Sequence, residues 1–298
     1  MLGAVREMNA TSRPFIVLLL LAAAACGPSR GQGDDGGEPD GDADGDVDAD
    51  GDADDEASLI VRIVATTAPF AHADGLAGQT ALHASGGIRS LSLLRDAGDP
   101  SPVSVFDHGA DVVETGYDDG DETVVAEVEI PADLQGTFKM ARLVQGYSRY
   151  EVEATLHDGL SIEPGVVESL LVMSDDTMLD GARRDAGEYD LRFDGDTTSF
   201  AYDGAGWPVP AYSTTAGATA VVEDGEWAVY FPVDVVVTDA LAPGSEIVIV
   251  VNMDHSFRWT DLPALGSEPD VFDVTRLSYE PVLRFGGNAF DLSLTGGR

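Results

Sequence analysis

From Ser58 onward apolar residues recur at every second position, and that alternation restricts the chain to strands with one buried face. Leu59–Val64 (LIVRIV) opens the pattern. Further on, Ile88, Ser90, Ser92 and Leu94 alternate with Arg89, Leu91 and Leu93, and Glu127 and Glu129 face away from Ala126, Val128 and Ile130. Strands are also expected at 137–145, 149–156, 166–173, 188–193, 218–222, 227–238, 245–252, 281–285 and 289–294. Turn chemistry separates many of them: DDGD at 118–121, EPG at 163–165, EDGE at 223–226 and APGS at 242–245. No segment of ten or more residues carries a helical stripe, and the one short helix expected lies within 175–186 (DDTMLDGARRDA). The pattern predicts an all-β fold, an antiparallel β-sandwich over 58–298. It forms one lobe or two in tandem, and two lobes would divide near 174–187.

The first 57 residues are of another kind. Arg6 and Arg13 precede an unbroken apolar run, Phe15–Ala25 (FIVLLLLAAAA), and Cys26 follows it. Eleven helical residues span about 16 Å, roughly half a bilayer core, so the run has the length of a signal-peptide core and not of a membrane span. Met8 also opens a compact signal by itself. The segment Leu21-Ala-Ala-Ala-Ala-Cys26 resembles the lipobox of bacterial lipoproteins, with Ala23 where leucine is commonest. That resemblance implies removal of residues 1–25 by signal peptidase II, acylation of Cys26, and attachment to the membrane through its acyl chains. Gly27, with no aspartate after the cysteine, resembles the pattern of lipoproteins sorted to the outer membrane. Cys26 is the only cysteine, so no disulfide can form within the chain. Residues 26–57 read as a lipidated cysteine and an acidic tether. From Asp34 to Glu56 there are thirteen Asp or Glu and no Lys or Arg, a composition too poor in apolar surface to fold.

Charge narrows the partners. The chain carries a net charge of −38, and residues 58–298 hold forty acids against thirteen bases. Such a surface repels phosphate, which disfavours nucleic acid and anionic headgroups. Protein or glycan ligands stay open.

Chemistry-bearing motifs are sparse. The chain has no nucleophile elbow, phosphate loop or dinucleotide fingerprint. His72, His83, His108, His157 and His255 form no metal-ligand spacing. Asp254-His255-Ser256 invites a triad reading, but adjacent strand residues point to opposite faces. Two calcium candidates are present and no other cofactor is expected. Asp46, Asp48, Asp50 and Gly51 copy the opening of an EF-hand loop, although Ala57 stands where its closing glutamate belongs; Asp118, Asp119, Asp121 and Glu122 form an acidic turn. Tyr202, Trp207 and Tyr212 sit on a Gly/Pro-rich stretch and would either stack on sugar rings or fold back over the core. Trp227 is expected in a strand core. The phrase Ile130-Pro-Ala-Asp-Leu-Gln-Gly136-Thr-Phe138 resembles the strand entry of prealbumin-like β-sandwiches. Together these features predict a non-enzymatic, lipid-anchored envelope protein with a β-rich binding domain. The alternatives are an anchored extracytoplasmic hydrolase and a calcium-stabilised structural module.

Overall fold

The computed structural model describes residues 58–159, 161–237, 241–262 and 269–296. The leader, Cys26 and the tether with Asp46, Asp48 and Asp50 lie outside the described residues. Among the described residues the regular elements are all strands. The longest, β7 (Gly136–Asp158), joins the runs expected at 137–145 and 149–156 into one. On one side it pairs antiparallel with β3 (His83–Leu94). On the other, its first half pairs with β15 (Glu226–Val237) and its second half with β8 (Ser161–Val172). β3 also divides its outer edge, between β5 (Val113–Gly116) and β4 (Val103–Asp107). Two half-sheets therefore share a β3–β7 spine. One continues from β15 to β14 (Thr219–Glu223) and β13 (Tyr212–Ser213); the other continues from β8 to β11 (Tyr189–Gly195) and β12 (Ser199–Gly204).

The change of partner falls at a double irregularity. Ladder pairing steps from Gly87↔Tyr147 to Ile88↔Gln145 and then to Ser90↔Val144, leaving Gly146 and Arg89 as extra residues in their strands. Each is a bulge, and bulges bend a strand and increase its twist. Only glycine suits the first position, because a Cβ on Gly146 would sit 2.7 Å from the Val112 side chain and 2.9 Å from that of Thr177. Arg89 turns inward, where it donates to the Asp175 carbonyl and to Thr177 Oγ1, both at 2.9 Å.

A second sheet packs across the first, in the order β20 (Ala289–Thr295), β16 (Ser245–Asn252), β1 (Ser58–Thr66), β6 (Glu122–Glu129). Its β1–β16 pair is parallel, an exception to the antiparallel expectation. Strict alternation in β1 and β16 buries Leu59, Val61, Ile63, Ile247, Ile249 and Val251 on one face. Phe290 of β20 stacks on Phe231 of β15 with centroids 5.0 Å apart, so the two layers meet as a sandwich. One cluster of buried side chains includes residues of both sheets and of strands before and after 174–187. A small third sheet, β2 (Ala77–Gln79), β17 (Phe257–Trp259) and β19 (Val282–Arg284), and a short β18 (Asp273–Val274) parallel to the end of β7, complete the body.

The helix expected within 175–186 does not form. That stretch holds a hairpin, β9 (Thr177–Leu179) and β10 (Ala182–Arg184). Asp180 (φ 52°) and Gly181 (φ 78°) supply the two left-handed residues of a two-residue turn. Asp224 and Gly225 do the same between β14 and β15. Tyr202 lies in a strand, β12, and not in a loop. Asp254-His255-Ser256 forms a turn rather than a strand end, with His255 at φ 47°.

The β8–β11 ladder offers a packing test. A Cβ on Gly165 would lie 2.5 Å from both the Asp194 carbonyl oxygen and the Phe193 ring, and backbone cannot swing aside as a side-chain tip can. Gly165→Ala is expected to cost about 1–3 kcal/mol, measured as a lower denaturation midpoint at unchanged m-value. A neutral result would mean the β8–β11 spacing is not fixed.

Candidate functional site

The three aromatics singled out in the sequence do not form one flat patch. Trp207 stacks on Tyr279 (4.6 Å, 9°) and meets Tyr189 edge-on at 4.8 Å. It also closes an apolar recess lined by Leu171, Leu191, Phe257, Phe272 and Phe285, so its ring folds back over the core. Tyr202 stacks on Phe200 at 6.1 Å. Its hydroxyl is buried with no hydrogen-bond partner among the described residues, and burial pushes its pKa up to about 12. Tyr212 lies apart, beneath the Arg284 guanidinium at 4.7 Å. Trp227 is fully buried in β15, as its strand position predicts.

At one end of the second sheet the loop after β1 brings His72 beside His255 in the turn after β16, and His83 opens β3. His72 and His255 approach edge-on with ring centroids 6.3 Å apart. Asp254 binds both: its carbonyl faces His72 Nε2 at 3.0 Å, and its Oδ1 faces His255 Nδ1 at 2.8 Å. Asp254 Oδ2 also accepts the Phe70 N–H at 2.8 Å, which ties the β1–β2 loop down. Burial, then the charge on Arg258, lowers the His72 pKa. His83 Nδ1 lies 2.8 Å from Asp118 Oδ2, at a cleft of about 260 Å³ lined by Thr67, Thr80, Tyr117 and Asp119. His108 and His157 lie elsewhere, facing the Val125 carbonyl and Asp273 respectively.

The carboxylates of the acidic turn diverge to protein donors. Asp118 Oδ1 accepts the Ala84 N–H, Asp119 accepts that of Thr67, and Asp121 accepts that of Asp118. Glu122 lies 3.6 Å from Arg62. Among the described residues no group of three His, Cys, Asp or Glu side chains is placed to hold a metal ion.

Two charged clusters had no local sequence signal, since each is completed by a residue far away in the chain. Asp74 in the β1–β2 loop binds Arg258 of β17 and Arg284 of β19, which closes the third sheet. Arg142 of β7 joins Glu223 and Tyr230 (3.0 Å each) to Glu226 (2.7 Å). This network borders a groove of about 700 Å³ floored by Ser92, Met140 and Val221.

The remaining feature is an open edge. β12 ends its half-sheet and, among the described residues, pairs only with β11, in an unbroken register from Tyr189↔Gly204 to Asp194↔Ser199. Beside it lies a depression of about 310 Å³ lined by Glu168, Asp180, Asp190, Arg192 and Asp203. Fold and surfaces together define an all-β, sandwich-like domain with an exposed sheet edge. No family model matches the chain, and no curated protein or solved structure matches it either.

Proposed function

We propose that this is a lipid-anchored cell-envelope protein, attached at the outer membrane through acyl chains on Cys26, whose β-domain binds a partner and does not turn over a substrate. Cys26, alone in the chain and directly behind FIVLLLLAAAA, supports the anchor. Two acyl chains suffice for stable attachment at about 0.8 kcal/mol per buried CH₂. The binding half is carried by one observation: the β12 edge leaves backbone groups unpaired beside an acidic depression. In a monomeric sandwich such an edge is a liability unless something uses it. The acidic stretch, with thirteen like charges from Asp34 to Glu56, links the anchor to the domain in this reading.

Cys26→Ser is expected to abolish palmitate labelling and to move the protein out of the pelleted membrane fraction. A variant that stays sedimentable and correctly processed without label would overturn the anchor. A second reading, an anchored hydrolase, draws on the convergence of His72, His255 and Asp254. Turnover of p-nitrophenyl esters that disappears in His255→Ala would replace the binding reading with that one.

A further inference from the structure

The β11–β12 hairpin determines which backbone groups of β12 point away from the sheet. The Gly195 N–H donates to the Thr198 carbonyl at 2.8 Å across the turn, which makes 195/198 a hydrogen-bonded pair. Hydrogen-bonded pairs in an antiparallel ladder recur every second residue, so Phe193↔Phe200, Leu191↔Tyr202 and Tyr189↔Gly204 share that character. Ser199, Ala201 and Asp203 therefore direct their N–H and C=O groups outward, to the open side. β12 (SFAYDG) has no proline, no lysine and no break in its register with β11, and its one charged side chain is Asp203.

Its two faces differ. Ser199, Ala201 and Asp203 are exposed on one, while Phe200 and Tyr202 are half-buried on the other. On the exposed face the ionic pairing is unequal. Arg192 is engaged by Asp194 at 2.7 Å, Arg149 by Glu114 at 3.9 Å, and Asp190 by Arg184 at 2.7 Å. Glu168, Asp180 and Asp203 line the same depression, and among the described residues none of them makes an ion pair. Three uncompensated carboxylates at the rim of an unpaired strand specify the complement: an extended backbone carrying cationic side chains at alternate positions. The chain's own tether is ruled out as occupant by its thirteen acids.

We propose that β12 is a docking strand, which adds an extended segment of a partner protein to the sheet through Ser199, Ala201 and Asp203 and receives that segment's lysine or arginine side chains at Glu168, Asp180 and Asp203. This rests on the binding reading above and names its partner class.

The test is fluorescence anisotropy with the full-length protein in detergent and a labelled, capped peptide of alternating sequence, Thr-Lys-Val-Lys-Val-Lys. A saturable rise at low salt is expected, and a peptide of the same composition with its lysines contiguous should bind far less. Ala201→Pro removes an outward N–H that the β11 ladder does not use, so it should weaken binding about tenfold, one hydrogen bond's worth, at an unchanged melting temperature. Should that variant melt lower, Asp203→Lys keeps the backbone and should transfer the preference to the peptide with glutamate for lysine. Equal binding of the contiguous peptide, undiminished binding by Ala201→Pro, or no saturable binding would each overturn the docking strand. A protein that fails here yet is palmitate-labelled and released by Cys26→Ser loses this site and keeps its anchor.

Discussion

Asp74→Ala is expected to remove about 3–5 kcal/mol of stability, because it strands two arginines that were folded around one carboxylate. Arg258 is 5% exposed and Arg284 13% at the side chain, so neither recovers full hydration when its partner is lost. Arg258 keeps its bond to the Leu76 carbonyl at 2.7 Å, and among the described residues Arg284 keeps only the Tyr212 ring face. The loss corresponds to roughly 6–20 °C in Tm for a domain of this size. The same cluster predicts a pH dependence. Burial by itself would raise the Asp74 carboxyl, but the Arg258 hydrogen bonds, the Leu76 N–H and Arg284 outweigh it and hold the group down to about 2. A depressed carboxyl stabilises the fold above its unfolded value of about 3.8, and that contribution drains away as pH falls toward 2. Thermal melts of wild type and Asp74→Ala should therefore differ most near neutrality, with the gap narrowing by about 2 kcal/mol in acid. A gap that stays constant from pH 6 to pH 2 would remove the ion cluster as its cause.

Trp227→Ala should cost a comparable amount, about 3–5 kcal/mol, from lost packing and an incompletely collapsed cavity. Its indole is fully buried, and its Nε1 donates to the Pro210 carbonyl at 2.7 Å. That bond tethers the segment between β12 and β13, including Trp207, to the body. Trp227→Phe keeps most of the volume and loses the donor, so it should fall by only about 1–2 kcal/mol. Urea titration of both variants separates the terms, and a loss under about 1 kcal/mol for the alanine would show that the site collapses around the smaller side chain.

How much of this was legible before folding follows from the range of each signal. β1 and β16 were readable because burial alternates with the two-residue repeat of a single strand, whereas β15, with Trp227, Ala228 and Val229 all buried, was readable from its β-branched and aromatic run. The Asp224-Gly225 turn was readable for the same local reason. Asp180-Gly181 carries the identical turn chemistry, yet the surrounding DDTMLDGARRDA read as a short helix because its two flanking strands have only three residues each. The unbroken course of β7 through Gly146 was not readable. A glycine between two apolar runs marks a break unless a strand such as β3 spans both halves, and only the fold shows that it does.

The functional surface was less legible still. Tyr202, Trp207 and Tyr212 were visible as aromatics, but which of them turns inward depends on Tyr189, Tyr279 and Arg284, contributed by three other stretches of chain. The turn acids were visible as carboxylates, while their donors come from the loop after β1 (Thr67) and from β3 (Ala84), which the sequence does not place beside them.

By itself the sequence determined strand content, the all-β class and most turn positions, because alternation and left-handed turn residues act within a few bonds. Only the tertiary structure decided that β1 runs parallel to β16, that Asp74 meets two arginines 184 and 210 residues away, and that β12 is left at an edge. A strand carries in its own residues which face it buries, whereas which strand lies beside it, or whether none does, is settled by how the whole set of apolar faces can be covered at once.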